Sequence, residues 1–170
     1  MLKSVLRGVF LVSAVAITGF ALHTGLTEGD TVFAGSRPNN LGVTEGRLAP
    51  PKKTPNCVSS QADPADSEHA ISPIRFSANP GEAIGILRGV VDGMRRSFVV
   101  RQEAGYLYVE FKSKLLGYVD DVEFSLSAKD GLIHVRSASR LGRRDYGVNR
   151  ARVESIRARF AAAQAAPAKT

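Results

Sequence analysis

YLYVEFKSKLLGYVDDVEFSLSAKDGLIHVRSAS, residues 106–139, is the stretch that decides the fold. Leu107, Val109 and Phe111 alternate with Tyr106, Tyr108, Glu110 and Lys112. Val122, Phe124 and Leu126 alternate with Asp121, Glu123 and Ser125, and Ile133 and Val135 with His134 and Arg136. Successive strand side chains point to opposite faces, so this alternation predicts three strands, each apolar on one face and polar on the other. The AKDG turn (128–131) is short enough for an antiparallel hairpin. Upstream, SFVVRQ (97–102), carrying Val99 and joined through EAG (103–105), adds a fourth strand. ISPIRFS (71–77) adds a short edge strand, where Pro73 excludes a central position.

Two helices flank these strands. NPGE (79–82) is a helix start, with Asn79 as N-cap, Pro80 at the first helical position and Glu82 closing a capping box. Ala83, Ile84, Leu87, Val90, Val91 and Met94 then form an apolar stripe. Gly81, Gly85, Gly89 and Gly93 form a second ridge, either a weakly helical exposed flank or a surface for close backbone packing. Residues 148–163 return to helical spacing through Val153, Ile156, Phe160 and Ala163, with Asp145 as a cap near the start. Both stripes need cover. The expected fold is therefore α+β, an antiparallel sheet of four to five strands with two helices packed on one face. The opposite face, with Tyr106, Tyr108, Glu110, Glu123, His134 and Arg136, is either solvated or partly covered by the segment around Asn56 to Ser60.

Outside this domain (71–165), residues 28–70 are rich in Gly, Pro, Asn, Thr and Ser and are expected to form a tether and coil. Residues 1–27 join a basic flank, Lys3 and Arg7, to an uncharged apolar run from Gly8 to Leu22. That segment is a cleaved signal peptide or a retained N-terminal membrane anchor. Both imply an exported remainder, tethered to an inner membrane or free in the periplasm, or in a plastid lumen in a eukaryote.

The net charge of +7 is concentrated. Residues 136–159 hold eight arginines against Asp145 and Glu154, which is the whole surplus of the chain beyond residue 29. Nucleic acid is excluded as a partner by export and by the acid interleaved with the aromatics of YLYVEF.

Cys57 is the single cysteine, so it is free, buried or intermolecular. A nucleophilic role requires a base, from His69 or His134, with Asp120 or Asp121 to orient it. No local catalytic signature accompanies it, and a small buried thiol is the expectation. Asp63, Asp66 and His69 do not have metal-ligand spacing, and no metal or cofactor is expected. Ser59 and Ser60 lack the G-x-S-x-G elbow, and no phosphate-binding glycine loop is present. Asp121 and Glu123 share a face with His134 and offer paired acid–base chemistry, or ordinary strand charge.

TPNCVSSQA (54–62), YLYVEFKSKLLGYVDDVEF (106–124) and IHVRSASRLGRRDYGVNRARVE (133–154) together resemble the domain of unknown function family 1499, over roughly residues 48–160. The resemblance implies a bacterial or plastid exported or membrane-associated protein with no established activity. It also implies that many relatives carry a second cysteine six positions before the one in PNC, where this chain has Pro51.

The arginine segment is the main candidate site. Arg136, Ser137, Ser139 and Arg140 lead from the sheet to Asn149 and Arg150 at the mouth of the last helix, a setting suited to an anion. The competing roles are a structural lock, in which the arginines pair with Asp120, Asp121, Glu123 or Asp145, and plain solvated charge. Arg152, Arg157 and Arg159 suit an anionic bilayer surface. The function expected is a membrane-associated domain binding an anionic ligand, lipid headgroup or protein partner. The rival is a small hydrolase or transferase using Cys57 or the Asp121/Glu123/His134 face.

Overall fold

The structure, a computed structural model, describes residues 33–166; the apolar run at Gly8–Leu22 lies outside them. In chain order the elements are β1 (Val43–Thr44), β2 (Arg47–Leu48), β3 (Cys57–Ser59), β4 (Ile74–Arg75), α1 (Pro80–Asp92), β5 (Ser97–Glu103), β6 (Tyr106–Lys112), β7 (Val119–Ser127), β8 (Leu132–Ser139) and α2 (Val148–Ala165). The fold is α+β. Six antiparallel strands form one sheet in the order β3-β8-β7-β6-β5, with β4 also on β8, and β1 and β2 form a separate pair. No helix among the described residues is long and apolar enough to cross a membrane.

The register follows the alternation in the sequence. Val109 lies opposite Val122, and Phe124 opposite Val135, so the apolar residues of neighbouring strands share one face. Ala83, Leu87 and Val91 of α1 and Val153, Ile156 and Phe160 of α2 join that face in one buried core. The sheet has one more strand than the upper expectation, because Cys57–Ser59 pairs with Ala138–Arg136. Three residues are too few to show alternation, and all three are buried.

α1 starts as its sequence specifies: Asn79 Oδ1 accepts from Glu82 N at 2.9 Å, with proline in the first turn. A Cβ added at Gly85 or Gly89 would meet nothing within 4 Å, so these glycines are an exposed flank and not a packing ridge. α2 starts in a left-handed Gly147 (φ 81°), and the Asp145 carboxylate supplies its cap, accepting from Asn149 N at 2.7 Å. Ala163, placed in the buried stripe by spacing, is exposed.

The polar face of the sheet is covered, but not by Asn56–Ser60, which form the β3 edge. The cover is a strap over residues 34–48. Leu41 and Leu48 pack on Tyr106 and Tyr108, and Gly42 N donates to Glu123 Oε1 at 2.7 Å. The approach requires glycine at two points. Gly35 has φ +68°, with the Arg140 Cβ 3.0 Å from where its own would sit, and Gly42 has φ +116°. Much of the stretch expected to be tether therefore closes the domain.

Candidate functional site

Alternation along β8 sends its polar residues to two different places. Arg136 and Arg140 leave one face with Ala138 between them; Ser137 and Ser139 leave the other. Five of the six residues expected to converge on an anion therefore divide into two clusters, on opposite sides of the sheet, and Arg150 joins neither.

The first cluster lies beneath the strap. Arg136 Nη1 is 3.3 Å from Glu123 Oε2, and their side chains are 2% and 0% exposed. The other Glu123 oxygen accepts from Tyr106 OH at 2.8 Å as well as from Gly42 N. Alongside, Arg140 grips Asp121 with Nε at 3.0 Å and Nη2 at 2.8 Å, and it also bonds Glu110. Arg37 of the strap reaches the same Glu110 oxygen at 2.7 Å. Tyr108 OH lies 2.6 Å from Asp121 and 2.8 Å from Glu110. Three guanidinium groups thus meet three carboxylates.

Burial and the adjacent carboxylates hold both tyrosine hydroxyls protonated, Tyr106 beside Glu123 and Tyr108 beside Asp121. Burial pushes the Glu110 carboxyl up, but Tyr108, Arg37 and Arg140 outweigh it and hold Glu110 below its ordinary range. Burial likewise opposes the charge on Arg140, and its contacts with Asp121 and Glu110 prevail. Arg136 Nε is buried with no hydrogen-bond partner among the described residues.

The second cluster lies under the first turn of α2. Asn149 is fully buried; its Oδ1 meets Ser137 Oγ at 2.5 Å, and its Nδ2 donates to Ser139 Oγ (2.9 Å), Asn56 O (3.1 Å) and Asp145 Oδ2 (2.8 Å). Arg152 donates to Asn149 Oδ1 at 2.8 Å and to Asp120 Oδ2 at 2.5 Å, with its guanidinium 4.9 Å from the Phe111 ring centroid. Arg150 turns aside to the carbonyls of Ala70, Glu68 and Ser67. Arg157 bonds the carbonyls of Pro73 and Ser72. Of the three acids expected to pair with these arginines, Asp120 bonds Arg152 and Asp121 bonds Arg140, whereas Asp145 caps α2.

Three arginines of the segment remain, and Arg159, exposed on α2, donates to Ser155 Oγ at 3.4 Å. Arg143 and Arg144 are exposed at the tip of the β8–α2 loop, and neither has a hydrogen bond or ion pair among the described residues. Beside them Tyr146 is 94% exposed. The chain bends there through positive φ at Gly142 (82°), Tyr146 (54°) and Gly147 (81°).

The groups offered for catalysis do not assemble. Cys57 is fully buried against β8, and burial pushes its thiol up despite the nearby Arg136 and Lys52. Neither histidine bonds it: His69 is paired with Asp66 at 2.7 Å, and His134 Nδ1 lies 3.4 Å from Ser60 Oγ. His134 lines a cleft of about 770 Å³ between the β1–β2 hairpin and the turns at the other end of the sheet. Burial pushes its pKa down, Asp130 opposing and Arg47 adding to the shift. Asp121 and Glu123 are held under the strap and neither is a hydrogen-bond partner of His134.

The sequence reasoning missed a feature of the β6–β7 hairpin. Leu115 is 90% exposed and Leu116 50%. The available signal was SKLLGY (113–118), an apolar pair inside a turn, where alternation gives it no buried face.

Fold and site together define a two-layer α+β domain with an ionic layer sealed beneath a strap. Residues 47–160 match the family described as Protein of unknown function (DUF1499), and the chain belongs to that family. No curated protein and no solved structure matches it.

Proposed function

We propose that this is a non-catalytic, exported domain, held at a membrane by its N-terminal segment, that binds anionic headgroups with the tip of the β8–α2 loop. Its place is the periplasmic face of an inner membrane, or a plastid lumen in a eukaryote. One observation carries the reading. Arg136, Arg140, Arg150 and Arg152 are all engaged internally, whereas Arg143 and Arg144 are exposed with no partner among the described residues. A guanidinium fork suits the oxygens of a phosphate or carboxylate. Against an anionic bilayer each basic residue contributes about 1 kcal/mol. Support for a non-catalytic role comes from the buried Cys57 and from His134 bonding Ser60 and neither Asp121 nor Glu123.

The chain has no tryptophan, so a single introduced indole reports without background. Full-length Tyr146→Trp protein in lipid nanodiscs should shift its emission to the blue when phosphatidylglycerol is added to phosphatidylcholine. Adding Arg143→Glu and Arg144→Glu should abolish that dependence. An emission indifferent to lipid charge in the Tyr146→Trp protein would count against the proposal.

A further inference from the structure

The two loops at this end of the sheet are neighbours: Arg140 N donates to Val119 O at 3.0 Å, and Ser113 N to Tyr118 O at 2.8 Å. The α1–β5 connection is there too, since Lys112 N donates to Arg96 O at 2.9 Å. One end of the domain therefore gathers the exposed Leu115, Leu116, Tyr118, Leu141, Tyr146 and Val148. The exposed Arg95, Lys114, Arg143 and Arg144 surround them, with no ion pair among the described residues. The acids nearby are engaged, Asp92 with Arg88, Asp120 with Arg152, and Asp145 with the α2 backbone. Exposed leucines and aromatics ringed by cations form the pattern of a surface that lies in the headgroup–acyl boundary.

What covers this face is indicated by where the chain enters. Phe33, the first described residue, lies against Tyr118 with ring centroids 5.2 Å apart. In the sequence, ten residues separate it from Leu22, the end of the apolar run. Even fully extended, that connection spans no more than about 40 Å. The opposite end of the sheet, with Ala128, Lys129 and Asp130 in its turn, lies farther along the same strands.

We infer that this end is a bilayer-docking face, in which Leu115 and Leu116 of the β6–β7 hairpin enter the acyl boundary while Lys114, Arg143 and Arg144 meet the headgroups. The inference rests on the membrane tethering proposed above but not on the preference for anionic lipid. Single tryptophans separate the two. Full-length Leu115→Trp and Ala128→Trp proteins, both altered at exposed positions, would be placed in nanodiscs containing brominated phosphatidylcholine, with and without phosphatidylglycerol. Leu115→Trp should lose emission to shallow bromines in both compositions, and Ala128→Trp should keep it. That result stands even if Tyr146→Trp proves indifferent to lipid charge, which overturns only the anionic preference. No bromine quenching of Leu115→Trp, or equal quenching of the two proteins, overturns the inference. So does an emission shift that appears only when two copies share a disc, because the face is then a dimer contact.

Discussion

Replacing Arg136 by Met removes the cation of the most deeply buried ion pair and keeps most of the side-chain volume. Glu123 then remains fully buried with two donors, Tyr106 OH at 2.8 Å and Gly42 N at 2.7 Å. Breaking a buried pair by removing one partner costs about 3–5 kcal/mol. Each surviving bond to the carboxylate is worth about 1.5–3 kcal/mol and is retained, which places the loss at the lower end of that range, about 3 kcal/mol. For a domain of this size the corresponding fall in melting temperature is roughly 10 °C.

Glu123→Gln instead strands Arg136, a buried cation whose Nε already lacks a partner among the described residues, and a loss of the same order is expected. Thermal unfolding of the full-length variants by circular dichroism at pH 7 reads both losses. An Arg136→Met protein as stable as wild type refutes the buried-pair argument.

Gly85→Ala and Gly89→Ala, made where an added Cβ meets nothing, should each stabilise the protein by about 1 kcal/mol, read as a higher denaturation midpoint; a loss of stability would restore the packing ridge. Asn149→Ala removes bonds to Ser137, Ser139 and the Asn56 carbonyl; Ser137 Oγ keeps Arg152 and Asn56 O keeps Ser139 N, so Ser139 Oγ is the group left unsatisfied, at about 1–3 kcal/mol. A melting temperature within a degree of wild type would show that water replaces the amide without loss. His69 is pushed down by burial but raised on balance by Asp66 and the Thr54 carbonyl, so its contribution is full below the unfolded pKa of about 6.5 and is lost as pH rises through the folded value. His134, lowered by burial, acts in the opposite sense by destabilising the fold as pH falls below about 6.5, so the observable is the difference between wild type and His69→Gln. That difference should shrink with rising pH; a constant one argues that the Asp66 contact is not charge-assisted.

The parts legible in the sequence were those where side-chain pattern alone fixes geometry. Alternation from Tyr106 to Arg136 gave the central strands and their buried face, and NPGE gave the start of α1. β3 was not legible, because three buried residues carry no period. Nor was the strap, which is held by a backbone amide on Glu123, by glycines at positive φ and by one arginine, Arg37. Parity along β8 was enough to separate Arg136 and Arg140 from Ser137 and Ser139. The path of the loop beyond Arg140 was not, since it depends on the bend at Tyr146 and Gly147. That path decides which arginines turn inward and which stay in solvent.

The strap also bears on the order in which the molecule can assemble. Its contacts are distant in sequence: Arg37 to Glu110 spans 73 residues, Gly42 to Glu123 spans 81, and Gly35 to Arg140 spans 105. Non-local pairing of this kind must meet its loop-closure entropy before the contacts form, which slows folding. A chain made from its N-terminus produces the strap early, but the floor it closes upon is incomplete until Arg140 has been added. Any fragment ending before that residue leaves Asp121 and Glu110 without their shared cation. The seating of residues 34–48 is thus contingent on synthesis of the last third.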